Sequence, residues 1–330
     1  MPVAVVVGGS AGLGRAIVRR LADDGWYIGV LAREEARLAA TVDEVTERGG
    51  RATSVSVDVA DADAVEAAAA RIERDLGPIE LWVNGSITAV HGEFLDVDPT
   101  DFERVTDVTY HGLVNGTRAA LSRMIPRDRG HVIQISSAVA HRGMPLFSSY
   151  CAAKAASRIF TESVVSELRH HHSHVRISQI DMPALDTPFY SWVKNLLPRR
   201  SRPIPVVFEP EVGARVVASV VRHPRPRTWV GESTVFAILG NRLAGGLMDR
   251  LVGRFGYRAQ ESHGEHAPML PPNLHEPVPA DVATRGVFGR QAVSWSPQVW
   301  VVTHRRAASV LAVASGAAVA GLAIGRRRAG

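Results

Sequence analysis

Residues 3–17 read VAVVVGGSAGLGRAI, an apolar run followed by a glycine cluster and then by a segment with helical spacing. Gly8, Gly12 and Gly14 form the pattern G-x-x-x-G-x-G. Glycines permit a tight turn and let the backbone approach a pyrophosphate closely, and the N-terminus of the following helix offers free N–H groups to the phosphates. A glycine cluster alone also fits an ordinary turn. Its place between a strand and a helix predicts a loop that binds dinucleotide phosphates.

Apolar runs alternate with helix-like segments over the first 235 residues. Short apolar strands between helices predict βαβ units and a buried parallel sheet. We therefore expect a Rossmann-type, doubly wound α/β domain over 1–235, with about seven strands and helices on both faces. The predicted strands are 3–7, 27–31, 53–57, 80–84, 131–135, 175–180 and 228–231. The predicted helices are 12–23, 34–48, 61–75, 99–125, 148–171 and 210–222.

The remaining residues have a different character. Residues 236–303 are expected to form an extension, helical near 234–255 and then an irregular arm rich in Pro and His. Residues 304–330 form an apolar tail flanked by arginines, whose uncharged part, 307–325, is just long enough to cross a bilayer core. Few of its residues are Val, Leu or Ile, so membrane insertion is marginal. A membrane tail and a soluble docking or disordered tail both remain open.

Composition excludes several classes of protein. Residues 304–330 hold five arginines and no acidic residue, which accounts for the whole formal net charge of +5. The first 303 residues are formally neutral, so no nucleic-acid partner is expected. Cys151 is the only cysteine, which excludes an intramolecular disulfide and a Cys-based zinc site. The start of the sequence has no basic segment before its apolar run, so a cytoplasmic protein body is expected.

The stretch SSYCAAKAA, residues 148–156, suggests acid–base chemistry. On a helix, Tyr150 and Lys154 lie on one face, one turn apart. A phenol with a pKa of about 10 is a poor acid or base near neutrality. An ammonium group within roughly 4–6 Å would lower that pKa. The pair is a candidate proton donor, although the same spacing also arises by chance on exposed helices.

The end of the second predicted strand bears on cofactor choice. In LAREEARL, residues 31–38, Ala32 stands where an NAD-preferring site usually holds an acid, and Arg33 could face a 2′-phosphate. Glu34 and Glu35 also fall near the expected place of a ribose-binding acid. We interpret them as residues of the first helical turn, where acids are favoured. NADP(H) is therefore favoured over NAD(H).

Together, these stretches resemble the short-chain dehydrogenase/reductase family over roughly residues 1–235. The matching stretches are GGSAGLG (8–14), SVDVAD (56–61), WVNG (82–85), ISSA (135–138), YCAAK (150–154) and MPALDT (182–187). Ser137 lies thirteen residues before Tyr150, which is the interval usual for the serine and tyrosine of that family.

The resemblance implies an oxidoreductase that interconverts a carbonyl and an alcohol, with the hydride supplied by the nicotinamide. Tyr150 would be the general acid or base, Lys154 would lower its pKa and bind the nicotinamide ribose, and Ser137 would hold the substrate oxygen. Asp58, with Val59 beside it, looks like the acid that contacts adenine. The implied cofactor-binding residues are Gly8, Ser10, Gly12, Leu13, Gly14, Arg33, Asp58, Val59, Asn84, Tyr150, Lys154, Pro183 and Thr187.

The sequence departs from the family pattern at three places. The usual Asn-Asn-Ala-Gly is here NGSI, residues 84–87, and the usual Pro-Gly is Pro183-Ala184. The family's helix-four asparagine, which supports a proton relay, aligns with Thr109; its hydroxyl could hold a water but offers no amide. An alternative is therefore a binding protein, a sensor or scaffold that keeps the dinucleotide pocket without the chemistry. The intact serine, tyrosine and lysine favour the enzyme.

Other stretches bear on substrate and partners. Residues 188–211 stand where the family carries its substrate-covering loop, and Phe189, Tyr190, Trp192, Leu196 and Leu197 favour a bulky apolar alcohol or ketone. Arg199, Arg200 and Arg202 either solvate this loop or meet an acidic group of the substrate.

Two further expectations concern metals and assembly. The histidines of ELRHHHSHV, residues 167–175, point in different directions on a helix, so no metal site is expected. The resemblance also implies a homo-oligomer through the long helices near 99–125 and 148–171.

Overall fold

A parallel sheet forms the centre of the molecule. The computed structural model describes residues 1–262, 270–280, 282–305 and 307–309. Within them, the strands of the central sheet are β1 (Val3–Val7), β2 (Tyr27–Ala32), β3 (Ala52–Ser56), β4 (Ile79–Asn84), β5 (His131–Ser137), β6 (Arg176–Met182) and β7 (Arg227–Trp229). They form a seven-stranded sheet in the order β7-β6-β5-β4-β1-β2-β3, with every pair parallel. The predicted strands and the doubly wound fold are confirmed.

Helices cover both faces of the sheet because its strands are apolar on both sides. The helices are α1 (Gly12–Asp23), α2 (Glu35–Glu47), α3 (Ala62–Leu76), α4 (Pro99–Thr106), α5 (Gly112–Met124), α6 (Ser148–His170), α7 (Phe189–Trp192), α8 (Pro210–Arg222), α9 (Glu232–Gln260) and α10 (Pro297–Thr303). One core lies between the sheet and α1, α2 and α8. A second core lies between the opposite face and α3, α5 and α6.

The predicted helix over 99–125 is not continuous. It consists of α4, a π-helical segment over Asp107–His111, and α5. Single π-helical turns inside α-helices occur frequently at functional sites. Thr109 lies in this segment with its hydroxyl hydrogen-bonded to the backbone of Thr88, so this widened turn is tied to the loop that follows β4. Helical spacing of apolar residues does not reveal such a turn.

The extension after β7 is helical over a longer range than 234–255. Helix α9 spans Glu232–Gln260 and is bent at Ala244, where φ is −145° and ψ is 52°. Among the described residues, no helix is long and apolar enough to cross a bilayer. Most of the predicted tail, residues 310–330, lies outside the described residues, so membrane attachment stays a prediction. Helix α6 exposes Ile159, which is 54% accessible, and the predicted homo-oligomer likewise stays untested.

The turn between β1 and α1 depends on close backbone packing. A Cβ added to Gly14 would lie 2.0 Å from the carbonyl oxygen of Gly8, so no larger residue fits without moving the loop. Gly12 has a φ of +53°, in the left-handed region that favours glycine. This packing brings the N-terminus of α1 to the carboxyl edge of the sheet.

We expect Gly14→Ala to destabilise the protein by about 1–3 kcal/mol, because the added methyl group overpacks a backbone contact. The matched control is Gly246→Ala in α9, where an added Cβ meets no atom within 4 Å. Thermal unfolding followed by circular dichroism measures both. The packing argument is wrong if Gly14→Ala unfolds like the unmodified protein.

Candidate active site

A cavity of about 400 Å³ opens at the carboxyl ends of the strands, where the strand order reverses between β1 and β4. In doubly wound sheets, ligands bind in this crevice. The cavity brings together most of the predicted site residues. Those that line it are Gly8, Ser10, Gly12, Leu13, Gly14, Arg33, Asp58, Val59, Ser137, Tyr150, Lys154, Pro183 and Thr187. Asn84 and Thr109 do not line it.

Ser137 and Tyr150 meet at one end of the cavity. Ser137 ends β5 and Tyr150 lies in the first turn of α6, and both side chains line the cavity. Burial raises the pKa of the Tyr150 phenol above its usual value, since a phenolate is poorly solvated there. The structure therefore differs from the prediction that Lys154 lowers this pKa. The Lys154 Nζ atom lies over the Tyr150 ring, 5.9 Å from its centroid, and burial is the largest cause of the shift in the phenol pKa.

Lys154 is almost wholly buried, at 2% exposure. Its Nζ atom donates a hydrogen bond of 2.7 Å to the carbonyl oxygen of Ile135 in β5. Burial lowers the pKa of this lysine to about 8, while the negative charge of Asp181 favours the protonated form. The ammonium group is thus held under the sheet edge, next to Tyr150, with a pKa close to neutrality.

Asp181 and His141 complete this buried cluster. Asp181 is fully buried near the end of β6, and its Oδ2 atom lies 3.1 Å from Nε2 of His141. Its Oδ1 atom accepts a hydrogen bond of 2.8 Å from Gln179. Sequence reasoning missed both residues. An acid at the end of an otherwise apolar strand was the available signal, because a buried carboxylate requires partners.

Thr109 does not join this cluster. Its hydroxyl donates to the carbonyl oxygen of Thr88 at 3.1 Å and accepts from the Thr88 amide at 3.2 Å. Its own carbonyl oxygen accepts from the Ser157 hydroxyl at 3.4 Å. The side chain therefore fixes the π-helical turn against the loop after β4. It stands apart from the cavity, and the structure gives no support to the predicted water-holding role.

Asn84 is a structural residue beneath the cavity. Its Oδ1 atom accepts from the Trp82 indole at 2.8 Å, and its Nδ2 atom donates to Gln134 at 2.9 Å and to Thr117 at 3.1 Å. These bonds tie β4 to β5 and α5. This network agrees with the prediction that Asn84 helps to hold the sheet. Asn84 was also predicted to contact the cofactor, but it does not line the cavity.

The opposite end of the cavity carries Arg33 and Asp58. Asp58 forms an ion pair with Arg104 and accepts a hydrogen bond of 3.0 Å from the Ala60 amide. Burial raises the pKa of Asp58, but the hydrogen bonds from Arg104 and the Ala60 amide, together with the positive charges of Arg104 and Arg33, outweigh it, and the net shift is downward. Glu34 caps α2 by accepting from the amides of Ala36 and Arg37, which supports its interpretation as a helix-start residue.

The walls near Tyr150 are mainly apolar. Phe189, Tyr190 and Trp192 line the cavity as predicted, while Leu196 and Leu197 do not. Helix α9 adds Met248 and Val252, which sequence reasoning missed because they come from the extension. Further lining residues on this side are Met144, Phe147 and Leu185.

The arginines of the loop over 188–211 separate in the structure. Arg202 lines the cavity, whereas Arg199 forms an exposed ion pair of 3.0 Å with Glu261. Among the described side chains, no three His, Cys, Asp or Glu residues are grouped so that they could hold a metal ion.

Comparison with known proteins shows the family. The sequence profile of the short chain dehydrogenases matches residues 2–195. This protein belongs to the short-chain dehydrogenase family. The family is one of NAD(P)-dependent oxidoreductases.

Similar proteins span bacteria and animals. The chain is 29% identical over 277 residues to the Bacillus subtilis protein called uncharacterized oxidoreductase YxnA, covering 83% of this chain and 78% of that one. It is 30% identical to 3-dehydrosphinganine reductase from Danio rerio, covering 64% of this chain and 66% of the relative. For several other curated relatives, the chain spans only about half of their length or less.

Comparison with a solved structure supports the same family assignment. A metagenomic short-chain oxidoreductase in complex with NADP superimposes with a TM-score of 0.59 at 27% identity, covering 69% of this chain and 96% of that one. The oxidoreductase family and its nucleotide-binding Rossmann fold are therefore established for this chain.

We expect the Lys154 ammonium to lose its proton as the pH rises through about 8, because burial disfavours the charged form. Asp181→Asn should lower this pKa further, since it removes the negative charge that favours protonation. The chain has two lysines, Lys154 and Lys194, so NMR of the protein with ¹³C-labelled lysine Cε atoms gives two signals. Lys194→Arg assigns them. A Lys154 pKa above its ordinary value would contradict the burial argument.

Proposed function

We propose that this chain is an NADP(H)-preferring oxidoreductase that interconverts a carbonyl and an alcohol on an apolar substrate. The observation that carries the proposal is one cavity with two chemically distinct ends. Ser137, Tyr150 and Lys154 line one end, and the glycine loop and Arg33 line the other. A dinucleotide with its phosphates at the start of α1 would place its nicotinamide toward Tyr150.

Tyr150 serves as the proton donor in carbonyl reduction. The nicotinamide, when bound, supplies the hydride, and the protein supplies position and the proton. Burial raises the pKa of the Tyr150 phenol, which keeps it protonated at neutral pH but makes it a weaker acid, so proton transfer depends on the nearby Lys154 ammonium stabilising the phenolate. The Ser137 hydroxyl lines the same cavity as Tyr150 and donates to the substrate oxygen as negative charge develops on it.

Lys154 provides the positive charge beside the reacting groups. An ammonium near the phenol favours the phenolate that forms when Tyr150 gives up its proton. Asp181 supports the protonated form of Lys154, and the hydrogen bond to Ile135 fixes the position of Nζ. His141, in turn, is within 3.1 Å of the buried Asp181 carboxylate. These contacts stabilise the positive charge of Lys154 in its apolar surroundings.

The substrate side favours a bulky apolar ketone or alcohol. Aromatic and aliphatic side chains from the loop over 188–211 and from α9 surround the space beyond Tyr150. Burying an apolar body against such walls stabilises binding by about 25 cal/mol per Å² of apolar surface. One relative is named for reducing 3-dehydrosphinganine, which agrees with an apolar substrate.

NADP(H) is the preferred cofactor in this proposal. Arg33 lines the cavity at the end of β2, where Ala32 replaces an acid that would repel a 2′-phosphate. Arg37 lines the same end. A guanidinium group binds phosphate through paired hydrogen bonds, so these two residues favour the phosphorylated ribose.

A dinucleotide-binding sensor is the second candidate. The placement of Thr109 favours it, because this residue is bonded to Thr88 and leaves the usual relay position without a group directed at the cavity. The sensor would bind NADPH and turn over no substrate.

We expect Tyr150→Phe to lower the rate of NADPH oxidation by about 10²–10⁴-fold, because the substrate loses its proton donor. NADPH binding, followed by its fluorescence, should be retained. Tyr190→Phe is the matched control, since Tyr190 is a second buried tyrosine of the same cavity. The assay uses a panel of apolar ketones and aldehydes. Full activity of Tyr150→Phe would refute the assignment, and tight NADPH binding without turnover by the unmodified protein would favour the sensor.

For cofactor choice, Arg33→Ala should raise the KM for NADPH by about 10- to 100-fold, which is the effect of losing charge-assisted hydrogen bonds to a phosphate. The KM for NADH should change far less. Arg48→Ala is the control, because its exposed guanidinium pairs with Asp23 and does not line the cavity. Equal losses for both cofactors in Arg33→Ala would remove the NADP(H) assignment.

A further inference from the structure

The irregular arm after α9 crosses the cofactor side of the cavity. We call residues 270–280 and 282–288 the strap. At its start, the amide of Leu270 donates to the carbonyl oxygen of Ser191 at 2.8 Å. The amide of Asn273 donates to the carbonyl oxygen of Trp192 at 2.9 Å. The strap therefore begins on the loop that covers the substrate side.

At the adenosine end, the strap is bound by cavity residues. Arg33 donates to the Asn273 carbonyl and side-chain oxygens at 3.0 Å each, and to the carbonyl oxygens of Leu274 at 3.2 Å and His275 at 2.7 Å. Arg37 donates to the carbonyl oxygens further along, at Val278 and Ala280. Asn273 itself lines the cavity. The strap thus supplies part of the wall around the predicted 2′-phosphate position.

At the phosphate end, the strap contacts the glycine loop. The amide of Gly12 donates to the carbonyl oxygen of Ala283 at 2.9 Å, and Arg15 donates to that of Val282 at 3.2 Å. Three residues on, the strap reaches the opposite wall: the amides of Gly286 and Phe288 donate to Asp186 at 3.2 and 2.9 Å. The strap therefore bridges the two walls between which a dinucleotide would lie.

The strap is packed against the protein along its length. Leu274, Val278 and Phe288 are buried, at 1%, 2% and 6% exposure. Outside the cavity, Nε2 of His275 lies 2.9 Å from the buried carboxylate of Asp101. Four prolines, at 271, 272, 277 and 279, fix backbone angles and stiffen this segment.

We propose that the strap completes the adenosine half of the dinucleotide site and has to open before a dinucleotide can enter or leave. The inference rests on the dinucleotide binding of the proposed function and not on its chemistry. A dinucleotide spans from Arg33 past the glycine loop to Tyr150, and the closed strap joins both walls along that path. Entry then requires a unimolecular opening step that breaks several hydrogen bonds at once.

Stopped-flow mixing of the full-length protein with NADPH tests this, with energy transfer from tryptophan to NADPH as the signal. The observed binding rate should level off at high NADPH concentration, because opening becomes limiting. His275→Ala should raise this plateau and the NADPH release rate by about tenfold, since it removes a hydrogen bond to a charged group that holds the strap closed. His223→Ala is the control, as His223 is exposed at the end of α8 and has no strap contact among the bonds described.

Thr88→Val provides a second opening variant, in case His275→Ala fails to fold. It removes the hydroxyl that donates to the carbonyl oxygen of Asn273 at 3.2 Å, and it nearly preserves the side-chain volume. It should raise the plateau in the same direction while His223→Ala leaves it unchanged.

The outcomes separate the strap from the proposed function. A binding rate that rises linearly with NADPH concentration, or a plateau that neither variant moves, overturns the strap while NADPH binding itself stands. Failure of NADPH to bind at equilibrium overturns the cofactor half of the proposed function instead. Hydrogen exchange of the strap peptides gives a second readout: bound NADPH should slow it, and faster exchange would mean that the cofactor displaces the strap.

Discussion

The reversal of strand order between β1 and β4 is the constraint on which the rest of this structure depends. It separates α1 from the helices on the other face and leaves a crevice at the carboxyl edge of the sheet. Gly8 and Gly14 allow the backbone to turn sharply into that crevice. Every functional residue described above reaches its place from a strand end or a helix start next to it. The fold therefore sets the position of the binding site, and the side chains determine which ligand binds there.

Burying charged side chains in this crevice costs desolvation free energy, and interactions with specific partners offset that cost. Lys154 is stabilised by a backbone carbonyl and by the field of Asp181, and Asp181 is held by His141 and Gln179. Burial drives the pKa of Lys154 down to about 8 and that of Tyr150 upward, so at neutral pH the phenol is uncharged while the amine is still mostly protonated. In the proposed reaction, the Lys154 ammonium therefore has to stabilise the phenolate that remains when Tyr150 gives its proton to a carbonyl oxygen.

Local patterns predicted the strands, the glycine loop and the Tyr150–Lys154 pair, because each depends on residues close in sequence, and the family resemblance added Ser137. The rest depends on contacts between distant residues. His141 and Asp181 meet across 40 positions, and Arg33 meets Asn273 across 240. The predicted lowering of the Tyr150 pKa was wrong in direction because the spacing gives the partner but not the degree of burial. The Pro-rich arm shows no helix or strand pattern because it is held mainly by bonds from its backbone to residues distant in the sequence.

The central claim is that a dinucleotide lies beneath the strap, with its nicotinamide against Tyr150. A crystal structure of the full chain with NADP⁺ tests it most directly. The account predicts the pyrophosphate at the start of α1, the 2′-phosphate beside Arg33, the nicotinamide ribose within hydrogen-bonding reach of Lys154, and strap density across the adenosine. A nicotinamide ring turned away from Tyr150, or a cofactor bound outside the cavity with the strap unchanged, would contradict it.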